Sequence, residues 1–288
     1  MPSALRLLGR APLLGPLVPV DTLEEALDAA AAEAARGVGC TLAFLGAAAD
    51  EAHAVRPYVA AAEGLAARGL DGELSVKLSM LGALTDPAGG ERRLRALLEE
   101  TAAHGPRVWI DVEAPGTVEA TLALVGRVRR DHPRLGTSLQ ASLRRSAADL
   151  EALIAAGTPV RLVKGSYRGT RPAAFRARRD VATAYLRLAS RLLDPDARSA
   201  GVAAVFATHD LALLGRLRDL AWSRGLGRGA FEWHALRGLR AAHQARLARE
   251  GVPVRALVSY GPGCFRWYAA LLLAGPSRAW AAARALVP

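Results

Sequence analysis

The sequence predicts an α/β protein, a (βα)8 TIM-like barrel with an N-terminal helical arm. Three observations lead there. Strand-like and helical segments alternate along the chain with no second composition class. Eight strand-like segments follow one another, each leading into a helical stretch, which is the repeat of that barrel. The chain has 288 residues, 51% of them hydrophobic, enough for one such core. An open doubly wound sheet shares the alternation, but eight units and the lack of GxGxxG argue against a dinucleotide-binding sheet.

Residues 1–38 form the arm and a first helix, and residues 39–288 form the barrel domain. Glycines and prolines interrupt the leucines of MPSALRLLGRAPLLGPLVPV, and no cleavage pattern follows, so this stretch is expected to be a leader arm. Asp21 is expected to cap the helix DTLEEALDAAAAEAARG, which stops at Gly37. The strands are expected at CTLAFLG (40–46), ELSVKLSM (73–80), RVWIDVE (107–113) and GTSLQAS (136–142). They continue at PVRLVKGS (159–166), GVAAVFATH (201–209), AFEWH (230–234) and VPVRALVSY (252–260). Amphipathic stretches such as ERRLRALLEETAAHG lie between them, and a last helix runs from about Cys264 to Ala274.

The net charge is +11, which favours anionic ligands or surfaces. The arginines are scattered, aromatics make up 5%, and no zinc-finger spacing occurs, so nucleic acid is not an expected partner. Cys40 and Cys264 form no CxxC or metal motif and read as reduced thiols of a cytoplasmic protein. No apolar run reaches membrane-spanning length. Peripheral contact at the inner face of the membrane is the most membrane association this sequence allows.

Polar residues inside the strands locate the chemistry. Side chains alternate along a strand, so Ser75, Lys77 and Ser79 share one face of the second strand. Asp111 and Glu113 share a face of the third, and Ser138, Gln140 and Ser142 of the fourth. Arg161 opposes Leu162 on the fifth, the sixth ends in Thr208-His209-Asp210, and the seventh holds Glu232 and His234. Asp210 is a natural cap for the helix after it. A barrel interior is normally filled by branched apolar side chains, with active sites at the carboxyl ends of the strands. A ring of cations, carboxylate and amide there points to a polar ligand. Lys77 and Lys164 are the only lysines among 38 Lys+Arg, and each sits in a strand-like segment. A compact ammonium fits a tight site where a planar guanidinium does not.

These segments, in this order from about Cys40 to Ala274, resemble the flavin-dependent proline dehydrogenases, whose fold is a distorted (βα)8 barrel with FAD. VKLS, WIDVE and LQASLRR resemble that family's second, third and fourth strands. RLVKGSY is close to its R-x-V-K-G-A-Y motif and is the most specific match. FRARRDVATAY resembles a segment with a basic residue near the FAD phosphates, here Arg178. FATHD matches A-T-H-N, and FEWHALRG resembles F-E-x-Q-x-L-x-G.

The resemblance implies roles. Arg161 would bond near flavin N5 and Gln140 would reach the pyrimidine edge, both as donors that favour the reduced flavin. Val163, Lys164 and Gly165 belong to the same motif, with Lys164 and Arg178 toward the ribityl and phosphate portion. Thr208, His209, Glu232 and His234 would complete the cofactor set. Lys77 and Asp111 would face the substrate, with Tyr167, Leu257 and Arg266 around it. The reaction would be hydride removal from a carbon beside a secondary amine, giving an imine. The electron acceptor would be quinone or dioxygen.

The departures lie on the substrate side. Ala270 and Leu271 stand where the family carries two arginines that clamp the carboxylate of proline, and Ala274 where it carries a glutamate. Leu257 replaces a tyrosine, His234 a glutamine, and Arg168 a large aromatic. Arginine–carboxylate clamps are strong and specific. The leading expectation is therefore an FAD-dependent dehydrogenase or oxidase acting at a carbon or nitrogen next to an amine-type nitrogen. Its substrate would be a modified or linked cyclic amine or a hydrazine-type N–N compound, in secondary metabolism. The alternatives are L-proline dehydrogenase, with Arg266 replacing the clamp, and a catalytically silent flavin-binding barrel.

Overall fold

The computed structural model describes residues 20–46, 54–165, 170 and 172–264. Eight parallel strands close into a barrel in chain order. They are β1 (Gly39–Phe44), β2 (Gly72–Lys77), β3 (Val108–Asp111), β4 (Leu135–Gln140), β5 (Val160–Val163), β6 (Ala204–Ala207), β7 (Glu232–Leu236) and β8 (Val254–Tyr260). The seam is closed by β1 against β8, from Gly39 opposite Arg255 to Phe44 opposite Tyr260. The described helices are α1 (Leu23–Ala34), α2 (Arg56–Ala67), α3 (Pro87–Thr101), α4 (Val118–Val128) and α5 (Ser146–Ala155). Further along come α6 (Arg178–Leu192), α7 (Pro195–Ser199), α8 (Leu211–Ser223) and α9 (Ala241–Arg249).

Outward strand residues supply the core between sheet and helices. Leu139, Val160, Leu162, Phe206, Trp233 and Ala256 are buried in one cluster with Tyr185, Leu188 and Leu217 from the helices. Leu42, Leu74, Val76, Val108, Ile110 and Val258 are buried in a second with Tyr58, Leu65, Leu94 and Leu97. Each such apolar side chain contributes roughly 1.5–3 kcal/mol. Helix α1 packs Ala26, Leu27, Ala29 and Ala30 into that second cluster, so it lies against the barrel wall.

Several sequence expectations shift. The cap of α1 is Thr22, not Asp21. Thr22 Oγ1 accepts from Glu25 N at 3.2 Å, and Glu25 returns a carboxylate to the backbone N–H of Thr22 in a capping box. The strands stop earlier than the polar alternation implies. Beyond Lys77 the chain turns into a 3-10 helix, Leu78–Leu81, so Ser79 lies off the strand. Its N–H and hydroxyl donate to Glu113 at 3.0 and 2.7 Å, joining the β2 and β3 loops. Glu113 and Ser142 also lie past their strands. Asp210 caps α8 as expected, accepting from Leu213 N at 3.1 Å. The last expected helix past Cys264, with Ala270, Leu271 and Ala274, falls outside the described residues.

Candidate active site

Register fixes which side chains enter the barrel. Lys77 pairs with Asp111, Ser138 with Arg161, and Gln140 with Val163. All six share the inward side, as the alternation predicts. Arg161 crosses the interior. Its Nη2 donates to Ser75 Oγ at 2.8 Å and forms an ion pair with Asp111 Oδ1. Ser75 Oγ donates to the other Asp111 oxygen at 2.9 Å. Asp111 thus belongs first to Arg161.

Gln140 closes the next side of the mouth. Its Nε2 donates to the carbonyls of Val112 at 3.0 Å and Glu113 at 2.8 Å. Two carbonyl partners fix the amide orientation, so the group left for a ligand is Oε1. Gln140 therefore presents an acceptor, opposite to the donor expected from sequence. Oε1 is buried without a partner, and so is Ser142 Oγ. Gly165 faces both with φ of +101°. A Cβ at Gly165 would lie 2.2 Å from Ser142 Oγ and 3.1 Å from Gln140 Oε1. This is a closely packed cradle in which only glycine fits, with two orphaned polar atoms against it.

Further polar groups follow the end of β6. Thr208 is buried, and its Oγ1 accepts from Asp210 N at 3.2 Å, leaving its hydroxyl hydrogen to a ligand. His209 Nε2 accepts from Leu236 N at 2.8 Å. A backbone N–H only donates, so the neutral tautomer carries its hydrogen on Nδ1. Burial, with the charges of Arg240 and Lys164, holds the His209 pKa down at about 4. Lys164, one residue past β5, bonds Asp210 at 2.7 Å. Lys77 is half-buried, and burial lowers its pKa against the opposing fields of Asp111 and Glu113. Burial also pushes the Cys264 thiol up to about 12, with Lys77 opposing. Leu257 is half-buried on β8 beside Thr41 and Leu236.

Helix α6 begins at the same mouth with Arg178. Ala177, its N-cap residue, offers no side-chain cap. Arg178 and Arg179 are exposed in that first turn. Arg179 lies 3.5 Å from Asp180 in the same turn, so the Arg178 guanidinium and the first N–H groups of the helix are what suit a phosphate.

Two expected cofactor residues sit elsewhere. Glu232 opens β7 at the amino-terminal end of the barrel. It forms an ion pair with Arg255, and Arg107 lies 3.6 Å away. Arg107 and Arg255 also hold Glu73, at 3.1 and 3.5 Å. His234 is buried above this network, its Nε2 3.7 Å from Glu73 and 3.6 Å from Glu232. Both residues point inward as parity requires, but Glu232 begins its strand and the His234 ring lies against the Glu73 and Glu232 carboxylates of the barrel floor. Tyr167 and Arg266 lie outside the described residues. Sequence reasoning missed Glu73, Trp109 and Arg255. Each shares strand parity with a residue already picked, so following the alternation toward the strand starts would have found them.

Fold and mouth together define a (βα)8 barrel with a polar ligand site at the carboxyl ends of its strands. A family model described as Proline dehydrogenase matches residues 21–263. The chain is 29% identical over 263 residues to Proline dehydrogenase 1 of Bacillus subtilis (strain 168), covering 90% of this chain and 85% of that one. It is 32% identical over 210 residues to Proline dehydrogenase of Deinococcus radiodurans, covering 70% of this chain and 64% of that one. In fold it resembles proline utilization A from Bdellovibrio bacteriovorus inactivated by N-propargylglycine. The TM-score there is 0.77 at 22% identity, over 88% of this chain and 32% of that one. The counterpart from Corynebacterium freiburgense gives 0.76 at 19% identity, over 98% and 32%. The chain thus spans about a third of these two larger proteins. It belongs to the proline dehydrogenase family, whose members are flavin-dependent oxidoreductases.

Proposed function

We propose that this chain is an FAD-dependent dehydrogenase that oxidises the C–H bond beside the nitrogen of a small cyclic amine. The observation that carries the reading is the cradle: Gly165 packed against two buried, unpartnered oxygens, Gln140 Oε1 and Ser142 Oγ, at the mouth that Arg161 enters. An apolar ligand would leave those oxygens unpaired at a cost of about 1–3 kcal/mol each. A flat heterocycle with N–H and carbonyl edges satisfies them. Bound FAD supplies a two-electron acceptor.

The chain's own residues supply the rest. Gln140 Oε1 accepts from an N–H on the pyrimidine edge. Arg161, held by Asp111 and Ser75, places positive charge where electron density arrives and favours the reduced cofactor. Val163, Thr208 and His209 would line the bound cofactor, the last two as donors. Lys164, Arg178 and the first N–H groups of α6 would hold the ribityl and phosphate end. Lys77 faces the substrate. An ammonium is a poor hydride donor, so the substrate is bound with its nitrogen neutral. Loss of a hydride and a proton leaves an imine, and quinone or dioxygen takes the electrons.

The substrate is a cyclic amine other than free L-proline, because Ala270 and Leu271 replace the clamp of the family pattern. The names of the relatives favour a second reading, L-proline itself, with Arg266 as the remaining cation. The test of the flavin reading is direct. Purified protein, heat-denatured and centrifuged, is expected to release free FAD into the supernatant. A colourless protein that takes up no added FAD would remove the enzyme reading.

A further inference from the structure

Trp109 is fully buried at the centre of the barrel, one inward position below Asp111 on β3. The Arg161 guanidinium lies over its indole, 5.2 Å from the ring centroid. On the floor side the Arg107 guanidinium lies 5.5 Å from the same ring. The indole is locked from every direction. Its Nε1 donates to Glu73 Oε2 at 2.6 Å. His234 meets it edge-on at 6.0 Å and 84°. Gly136 on β4 makes room for it, since a Cβ there would lie 2.7 Å from Trp109 Cζ3.

A guanidinium anchored only by its hydrogen bonds to Asp111 and Ser75 is free to pivot about them. An aromatic face beneath it removes that freedom, and a desolvated cation–π contact is among the stronger ones. We propose that Trp109 is a positioning residue: its indole face sets the height and tilt of the Arg161 guanidinium at the mouth, and through Arg161 it tunes the bound flavin. This rests on the reading that Arg161 faces the flavin. The floor network of Glu73, Arg107 and Arg255 then has a purpose at a distance, because it holds the indole by its N–H.

The test is the flavin reduction potential of holoenzyme variants, with FAD content and thermal midpoint measured alongside. Arg161→Met is expected to lower the potential. Trp109→Leu is expected to lower it in the same direction by about half as much, while FAD content is kept. Trp109→Phe, which retains a ring face but loses the N–H held by Glu73, is expected to shift less than Trp109→Leu. Trp109→Leu combined with Arg161→Met is expected to match Arg161→Met alone, since both act through one contact. If Trp109→Leu does not fold, Trp109→Met carries the same comparison. An unchanged potential in Arg161→Met overturns the underlying reading. A shifted Arg161→Met with an unshifted Trp109→Leu or Trp109→Met overturns this inference alone. An additive double variant overturns it too.

Discussion

Arg161 on β5 and Asp111 on β3 meet across the barrel interior as an ion pair, with Ser75 on β2 bonded to both. Three strands far apart in sequence thereby fix one guanidinium at the mouth. The carboxylate offsets part of the positive field that Arg161 places on a bound flavin. Asp111→Asn is expected to raise the flavin reduction potential, opposite in sign to Arg161→Met. It is also expected to cost roughly 3 kcal/mol of stability, because it leaves a buried cation without its counter-charge. Dye-equilibrium titration of both variants checks the signs, and a lowered potential in Asp111→Asn would contradict the pairing.

Gly165 is the tightest point of the cradle. Gly165→Ala puts a Cβ 2.2 Å from Ser142 Oγ on a backbone with φ of +101°. Overpacking of that kind costs about 1–3 kcal/mol, before the strain of the backbone. The variant is expected to purify with most of its FAD missing. Adding Ser142→Ala removes the clashing hydroxyl and is expected to restore part of it. Flavin-to-protein absorbance ratios read both, and a full flavin complement in Gly165→Ala would exclude the cradle.

His209 makes stability depend on pH. Its pKa is held at about 4 in the fold, against 6.5 ordinarily. Between those values the unfolded chain binds a proton that the native one refuses. Stability therefore rises with pH through this window, is complete above pH 6.5, and is lost as pH falls toward 4, with a slope of at most about 1.4 kcal/mol per unit. Urea titrations across that range are expected to show a shallower slope in His209→Gln than in the parent. Equal slopes would mean that His209 titrates normally.

Arg255 neutralises Glu232 and Glu73 in the barrel floor. Arg255→Met leaves two buried carboxylates under-paired and is expected to lower stability by roughly 3 kcal/mol. FAD content in the folded fraction is expected to be unchanged, because the network lies at the end of the barrel away from the mouth. Loss of flavin without loss of stability would return Glu232 to the cofactor site.

L-proline is expected to be a poor substrate. A charged hydrogen bond contributes about 1.5–3 kcal/mol, so two missing arginines correspond to about two to four decades in kcat/KM. Anaerobic bleaching of the flavin by L-proline, in the wild type and in Arg266→Ala, measures this. Rapid bleaching at sub-millimolar proline would refute the expectation. If Arg266→Ala then abolished bleaching, the clamp would have moved to Arg266.

Much of the barrel and part of the mouth were legible in the chain. Eight apolar-flanked segments name eight strands, and period-2 alternation turns Ser75, Lys77, Asp111, Ser138, Gln140 and Arg161 inward. The alternation carries no axial height, however. Glu232 and Lys77 are both inward, yet Glu232 begins its strand and Lys77 ends one. They therefore face opposite ends of the barrel. Strand tilt and register set that height, and both arise only when the barrel closes.

What the sequence determined by itself is local: which segments are strands, which side chains share a face, and where Asp210 caps a helix. The tertiary structure alone decided the partners. Asp111 goes to Arg161, the Gln140 amide turns its donors to two loop carbonyls, and Trp109 comes to lie between Arg161 and Arg107. Alternation is a property of one strand's backbone and survives in any sheet. Pairing between residues 27 to 52 positions apart depends on closure of the barrel, which no single segment encodes.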